Sequence, residues 1–173
     1  VMEGPVGFGH AMGDGPDWSR CMATLGQDFH IAAITIKNHA CCGHTFAAID
    51  GALALRSRMG VEAQDIAAIE VGTYGEALHV AGNPAPQTAA EARFSLPFVV
   101  ATALLHGSVR LAAFAPERLA DPRTRELMAR IGMAVDPELD AAFPGQRAAR
   151  VSIRTRDGRV EVVLSPEPQP GNW

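Results

Sequence analysis

The sequence is short of several features, and each shortage excludes a class of protein. Only three of its 173 residues are cysteine, and Cys41 and Cys42 are adjacent, so the chain lacks the disulfide framework of a small secreted protein. Fifteen basic residues against nineteen acidic ones give a net charge of −4, which argues against nucleic-acid binding. No apolar run approaches the ~20 residues of a membrane span, and the N-terminus has no signal-peptide pattern. These shortages predict a cytoplasmic protein that binds neither nucleic acid nor membrane.

The composition and length are those of one globular domain. The chain is 47% apolar and 20% charged, as soluble folded proteins are. A chain of this size buries ~70% of its unfolded surface and needs no metal or disulfide to build a core. We therefore predict a single domain over residues 1–173, with linker-like segments at 1–15 and 165–173. We also predict that the chain is part of a longer, two-domain protein.

The pattern of apolar residues, caps and breakers predicts an α+β fold. Helices are predicted over residues 17–25, 46–59, 76–81, 96–106 and 122–131. Strands are predicted over residues 31–36, 66–74, 151–155 and 160–164, with a hairpin between the last two at Asp157-Gly158. The helix at 96–106, capped by Ser95 and stopped by Gly107, is apolar on nearly every side and should be central. The predicted architecture is helices packed on a small, largely antiparallel sheet that ends in a C-terminal β-hairpin.

The densest chemistry lies between residues 37 and 45, after a predicted strand and before a predicted helix. Lys37 is the single lysine among the fifteen basic residues, and His39 and His44 follow it closely. Backbone N–H groups at a helix N-terminus attract anions, an ammonium adds positive charge, and imidazoles exchange protons near neutral pH. This pattern predicts a small-anion site with acid–base groups. The alternative is an ordinary polar loop in which Thr45 caps the helix.

Two other interpretations of the same cluster stay open. His39, Cys41, Cys42 and His44 are zinc-ligand types, but structural zinc sites separate their ligand pairs and draw on distant segments. Cys41 and Cys42 at a helix N-terminus would suit redox chemistry, because that position lowers the pKa of a thiol. The chain has no Cys-x-x-Cys motif, and buried cysteines of this kind are usually small hydrophobic residues.

Four segments of the chain resemble the second, smaller domain of the MmgE/PrpD family, which includes 2-methylcitrate dehydratase, cis-aconitate decarboxylase and iminodisuccinate epimerase. The matching segments, in the same order and spacing, are residues 36–45, 48–50, 94–98 and 121–122. The resemblance extends over roughly residues 1 to 171. Family members have a larger helical domain as well, and they are typically homodimers.

The resemblance implies a cofactor-free and metal-free active site for small di- or tricarboxylates in the cleft between two domains. Transferred by position, Lys37 is a carboxylate-binding or acid–base group and His44 is the candidate catalytic histidine. His39, Gly43 and Thr45 are the candidate substrate-binding residues. The expected partners are the carboxylic acid substrate, the helical domain and a second copy of the chain.

The implied reaction is the elimination of water by a lyase like 2-methylcitrate dehydratase, with this chain inactive by itself. Many relatives carry histidine where this chain has Phe46 and tyrosine where it has Phe98. These two departures imply a different substrate or reduced activity. The alternatives are an epimerase or decarboxylase of the family, and a non-catalytic scaffold or dimerisation module of the same fold.

Overall fold

A computed structural model describes residues 4–14, 17–34 and 36–166. The chain forms two compact units, residues 1–36 and residues 37–173, and each is described by itself. The expectation of a single domain stays a prediction. In the described part of the chain, no helix combines the length and the apolar character that crossing a bilayer requires.

Among its described residues, the first unit contains short helices and no strand. They are α1 (Phe8–Met12), α2 (Trp18–Met22) and a 3₁₀ helix (His30–Ala33). Asp17 is the N-cap of α2, since its carboxylate accepts a hydrogen bond from the Ser19 backbone N–H at 3.0 Å. Helix α1 lies inside the segment that the sequence suggested was a loop.

The strand predicted over residues 31–36 is wrong for the described part of that segment. Its first three residues belong to the 3₁₀ helix, and Ile31, Ile34 and Ile36 are all exposed; Thr35 lies outside the described residues. The β-branched run predicted a strand by propensity, but β-propensity is effective only where neighbouring strands supply packing. None of the strands in the described residues pairs with this segment.

The second unit is α+β, as predicted. After a 3₁₀ turn at Gly43–Thr45, its helices are α3 (Phe46–Met59), α4 (Gly75–Ala81), α5 (Ala89–Ala92), α6 (Leu96–His106), α7 (Pro116–Leu119), α8 (Pro122–Met128) and α9 (Pro137–Ala142). Its strands are β1 (Ile66–Thr73), β2 (Ile131–Val135), β3 (Ala149–Thr155) and β4 (Val160–Ser165). Two further 3₁₀ turns lie at Ala63–Asp65 and Leu111–Phe114.

The four strands form one sheet in the order β2-β1-β3-β4. Strand β1 runs antiparallel to β3, and β3 runs antiparallel to β4, so the predicted hairpin is confirmed. Strand β2 is parallel to β1, with Ile69 opposite Ile131. The sequence suggested that the helix starting at Pro122 continued to Ile131, but it ends at Met128 and the apolar residues that follow form β2.

One face of the sheet and two helices build the core. Helix α3 packs on β3 and β4, and α6 packs against α3 and α8. Helix α6 is buried from Leu96 to Leu104, as its all-round apolar character predicted. Its ends are also as predicted: the Ser95 hydroxyl accepts a hydrogen bond from the Phe98 N–H, and Gly107 adopts the left-handed conformation at φ 73°.

Candidate functional site

The polar loop of residues 37–42 is fixed to the segments that flank α6. The Ala40 N–H donates to the Val109 carbonyl oxygen at 3.0 Å, and the Cys42 N–H donates to the Arg93 carbonyl oxygen at 2.9 Å. Backbone hydrogen bonds to two separate segments hold the loop against the molecule. The loop therefore presents its side chains from a defined position at the start of α3.

Thr45 stabilises the turn between this loop and α3. Its side chain is fully buried, and its hydroxyl donates to the Cys42 carbonyl oxygen at 2.8 Å. The Cys41 sulfur lies 3.3 Å from the same hydroxyl. Thr45 makes no capping hydrogen bond to α3, so the interpretation of its side chain as a helix cap is wrong. Gly43, the other candidate of the turn, begins the 3₁₀ helix and is partly exposed.

His44 is paired with a tyrosine from a distant part of the chain. Its Nδ1 lies 2.8 Å from the hydroxyl oxygen of Tyr74, which follows directly after β1. The Tyr74 ring is 1% exposed and stacks on Phe143 with 4.6 Å between the ring centroids. When His44 is neutral with its proton on Nε2, the Tyr74 hydroxyl donates to Nδ1. A rigid, buried phenol therefore orients the imidazole.

His39 has a different partner and a more enclosed environment. It is 5% exposed, and its Nε2 lies 2.8 Å from Oδ1 of Asp50 on α3. The His39 ring also makes an edge-to-face contact with the Phe46 ring, with 5.2 Å between the ring centroids. The two candidate histidines thus have separate partners, and the structure pairs each of them with a residue that the sequence analysis did not single out.

Lys37 is exposed at the beginning of the loop. Its ammonium donates a long hydrogen bond, 3.4 Å between Nζ and the acceptor, to the Cys41 carbonyl oxygen. No carboxylate in the described residues forms an ion pair with it. An ammonium in this setting keeps most of its donor capacity for an anion.

The environment of Cys41 opposes thiolate chemistry. Burial of the thiol is the main reason why the pKa of Cys41 is raised to about 11. The thiol therefore stays protonated at neutral pH, whereas redox-active cysteines need a lowered pKa. In the ranges that the structure describes, no three His, Cys, Asp or Glu side chains come together in a group that could hold a metal ion.

We expect Cys41 to react with iodoacetamide at pH 8 about 100-fold more slowly in the folded chain than in the urea-unfolded chain. A pKa raised by about two units reduces the thiolate fraction about 100-fold. Mass spectrometry of the peptide that contains Cys41, sampled over time, measures the rate in both states. Equal rates in the two states would show that the thiol is neither buried nor perturbed.

The sequence analysis missed Tyr74 and Asp50 as members of this site. Tyr74 is the only tyrosine in the chain and lies between a strand and a helix, which was the one available indication of a special role. The two departures from the family pattern are both buried, and Phe98 is fully so, with its ring 6.0 Å from that of Phe114.

Comparison with known proteins supports the resemblance seen in the sequence. A search of curated proteins returns no match. The model of the MmgE/PrpD C-terminal domain matches residues 39–171, which is more than half of the chain. The match includes His39, His44 and Tyr74 and begins two residues after Lys37. The chain therefore belongs to the MmgE/PrpD family, of which it carries the C-terminal domain.

Proposed function

We propose that this chain supplies part of the active site of a cofactor-independent lyase that acts on a small di- or tricarboxylate. The family includes dehydratases and other lyases, and the proposed reaction is the elimination of water from a β-hydroxy carboxylate. One observation carries the proposal: the fixed loop that begins with the Lys37 ammonium, paired with no carboxylate in the described residues, leads directly into the turn that holds the His44 imidazole, which Tyr74 orients.

In this reaction Lys37 binds a substrate carboxylate and His44 moves a proton. Elimination requires a base that accepts the carbon-bound proton and an acid that protonates the departing hydroxyl, so that water leaves and a C=C bond forms. Because the Tyr74 hydroxyl contacts Nδ1 of His44, the proposed transfer uses Nε2, which accepts a proton in the tautomer whose Nδ1–H donates to the Tyr74 oxygen. Positive charge from Lys37 stabilises the negative charge that develops on the carboxylate side of the substrate.

The remaining acid–base groups would come from the helical domain that the family resemblance implies. Each general acid–base group raises the reaction rate ~10²–10⁴-fold. A chain that carries only some of the groups that the elimination needs therefore turns over little substrate. The chain by itself should bind a carboxylate weakly at this loop and show almost no activity.

NMR titration of the 173-residue chain with citrate tests this proposal. Signals of the His44 imidazole and the Lys37 side chain should shift in a saturable way. Lys37→Ala should weaken the binding seen at His44 about 10-fold, because charge-assisted contacts to carboxylate are the strong ones. Arg154→Ala, which removes one exposed positive charge from β3, serves as the matched control and should change it less than about 2-fold.

The same titration tests the non-catalytic alternative. The aromatic side chains at Phe46 and Phe98 favour that alternative, since they are buried in apolar contacts. Citrate that leaves the His44 and Lys37 signals unmoved, or that binds the Lys37→Ala variant as tightly as the parent, would contradict the lyase proposal and support a scaffold.

A further inference from the structure

A second concave site lies at the opposite end of the sheet from the polar loop. A cavity of about 390 Å³ opens near the beginning of β1, and two arginines, Arg130 and Arg156, form part of its lining. Tyr74, which contacts His44, follows the other end of β1. Eight residues of strand rise ~23 Å, so the two sites are separated by about the length of the strand.

Arg130 is anchored to the first residue of β1, and Arg156 is anchored to the turn that precedes this strand. Arg130 donates through Nη1 to the Ile66 carbonyl oxygen at 2.9 Å, and Arg156 donates through Nε to the Gln64 carbonyl oxygen at 2.9 Å. Both side chains line the same cavity. Each has further N–H groups that these contacts do not use.

These two arginines have no ion-pair partner among the described residues, although Glu62 and Glu126 also line the cavity. By contrast, Arg123 on the same cavity wall is bound to the Asp121 carboxylate at 2.7 Å. A guanidinium group that keeps N–H groups outside such contacts can bind a carboxylate through two parallel hydrogen bonds. The two guanidinium groups are therefore suited to bind an anion.

The rest of the cavity restricts what kind of anion fits. Leu127, which is almost fully buried, and the partly buried Leu105 give the lining an apolar portion that suits a short hydrocarbon chain. Glu126 and Glu62, whose carboxylate is paired with Arg56 at 3.4 Å, also line the cavity, and their negative charge limits how much negative charge the ligand can carry. The lining thus suits one negative charge attached to an apolar body.

We propose that this cavity binds a small aliphatic monocarboxylate. The carboxylate contacts the guanidinium groups of Arg130 and Arg156, and the alkyl chain lies against Leu105 and Leu127. This site differs from the polar loop in place and in ligand, because the loop is proposed to bind di- or tricarboxylates. The inference does not depend on the lyase reaction.

Methyl NMR of Leu105 and Leu127 in the 173-residue chain tests the site, with sodium butyrate as the probe. Butyrate should shift both methyl signals saturably and leave the His44 signals unmoved. Arg156→Gln, which changes an exposed side chain, should weaken binding about 10-fold. Glu126→Gln should tighten it about 2-fold by removing a repulsive charge.

Three controls make the test decisive. Arg154→Gln removes the same charge outside the cavity and should leave the affinity unchanged. Inorganic phosphate and citrate, at matched ionic strength, should bind at least about 5-fold more weakly than butyrate, because they lack an apolar body or carry extra charge. Equal affinity of the parent and Arg156→Gln, tighter binding of phosphate than of butyrate, or no saturation with butyrate would each overturn the proposal.

Discussion

Replacing Phe98 by alanine is expected to lower the free energy of unfolding by about 3–5 kcal/mol, the usual cost of truncating a fully buried phenylalanine. Phe98 is 0% exposed and lies in α6, the helix at the centre of the core. Removing its ring leaves a cavity beside Phe114 that the surrounding helices can fill only in part. Urea unfolding followed by circular dichroism measures the change, and the slope of the transition should stay the same.

Phe94→Ala is the matched control for this prediction. Phe94 lies four residues before Phe98 and is 49% exposed, so its truncation should cost about 1 kcal/mol or less. Similar losses for the two variants would mean that α6 is not the central helix of this fold.

Gly51→Leu is the second substitution with a large expected effect, about 3 kcal/mol of destabilisation. Gly51 lies in α3 where this helix packs on β3 and β4, and a Cβ atom built there would come within 2.8 Å of Cγ2 of Val151 and 3.3 Å of Cγ1 of Val163. Valine side chains are stiff, so the helix itself must move to admit a larger residue. The same unfolding experiment measures this variant.

Ala54→Leu places the same side chain on the exposed side of α3 and should change the free energy of unfolding by no more than about 0.5 kcal/mol. The contrast between the two leucine variants isolates the helix–sheet contact from helix propensity. If Gly51→Leu unfolds at the same urea concentration as Ala54→Leu, the close approach of α3 to the sheet is incorrect.

The sequence correctly predicted the elements whose ends are set by interactions between neighbouring residues. Ser95 and Gly107 define the ends of α6 in the sequence as in the structure, and Gly60 in the left-handed conformation ends α3. The turn at Asp157-Gly158 likewise identified the hairpin, with Gly158 at φ 91°. Caps and tight turns depend on a few neighbouring residues, so a single sequence reveals them.

Elements that depend on distant partners were harder to predict. The sequence around Ile131 continues a helical apolar pattern, and only its pairing with β1 makes that segment a strand. The opposite error occurred at Ile31, where β-branched residues form a 3₁₀ helix instead of the predicted strand. Strand pairing decided the conformation at Ile131, and at Ile31 no strand of the described residues supplies such pairing.

In the candidate site, too, the sequence revealed residues that are close along the chain but not their contacts with distant residues. Lys37 and His44 stood out because they lie in one short polar segment, but the hydroxyl that orients His44 comes from thirty residues further along the chain. The partner of His39, Asp50, lies in the family-like segment 48–50, but no role was evident for it from the sequence alone. Spacing in sequence identifies groups that share a loop, whereas their hydrogen-bond partners come from the packing of separate elements.

The uniqueness of Tyr74 makes the state of the loop open to direct spectroscopic observation. Because the chain has no other tyrosine, growth with tyrosine labelled only at the ring carbon Cζ places one isotopic label in the whole molecule, at the ring that contacts the candidate histidine. The single resonance that results would follow ligand arrival, protonation of the imidazole and displacement of the turn without any engineered probe.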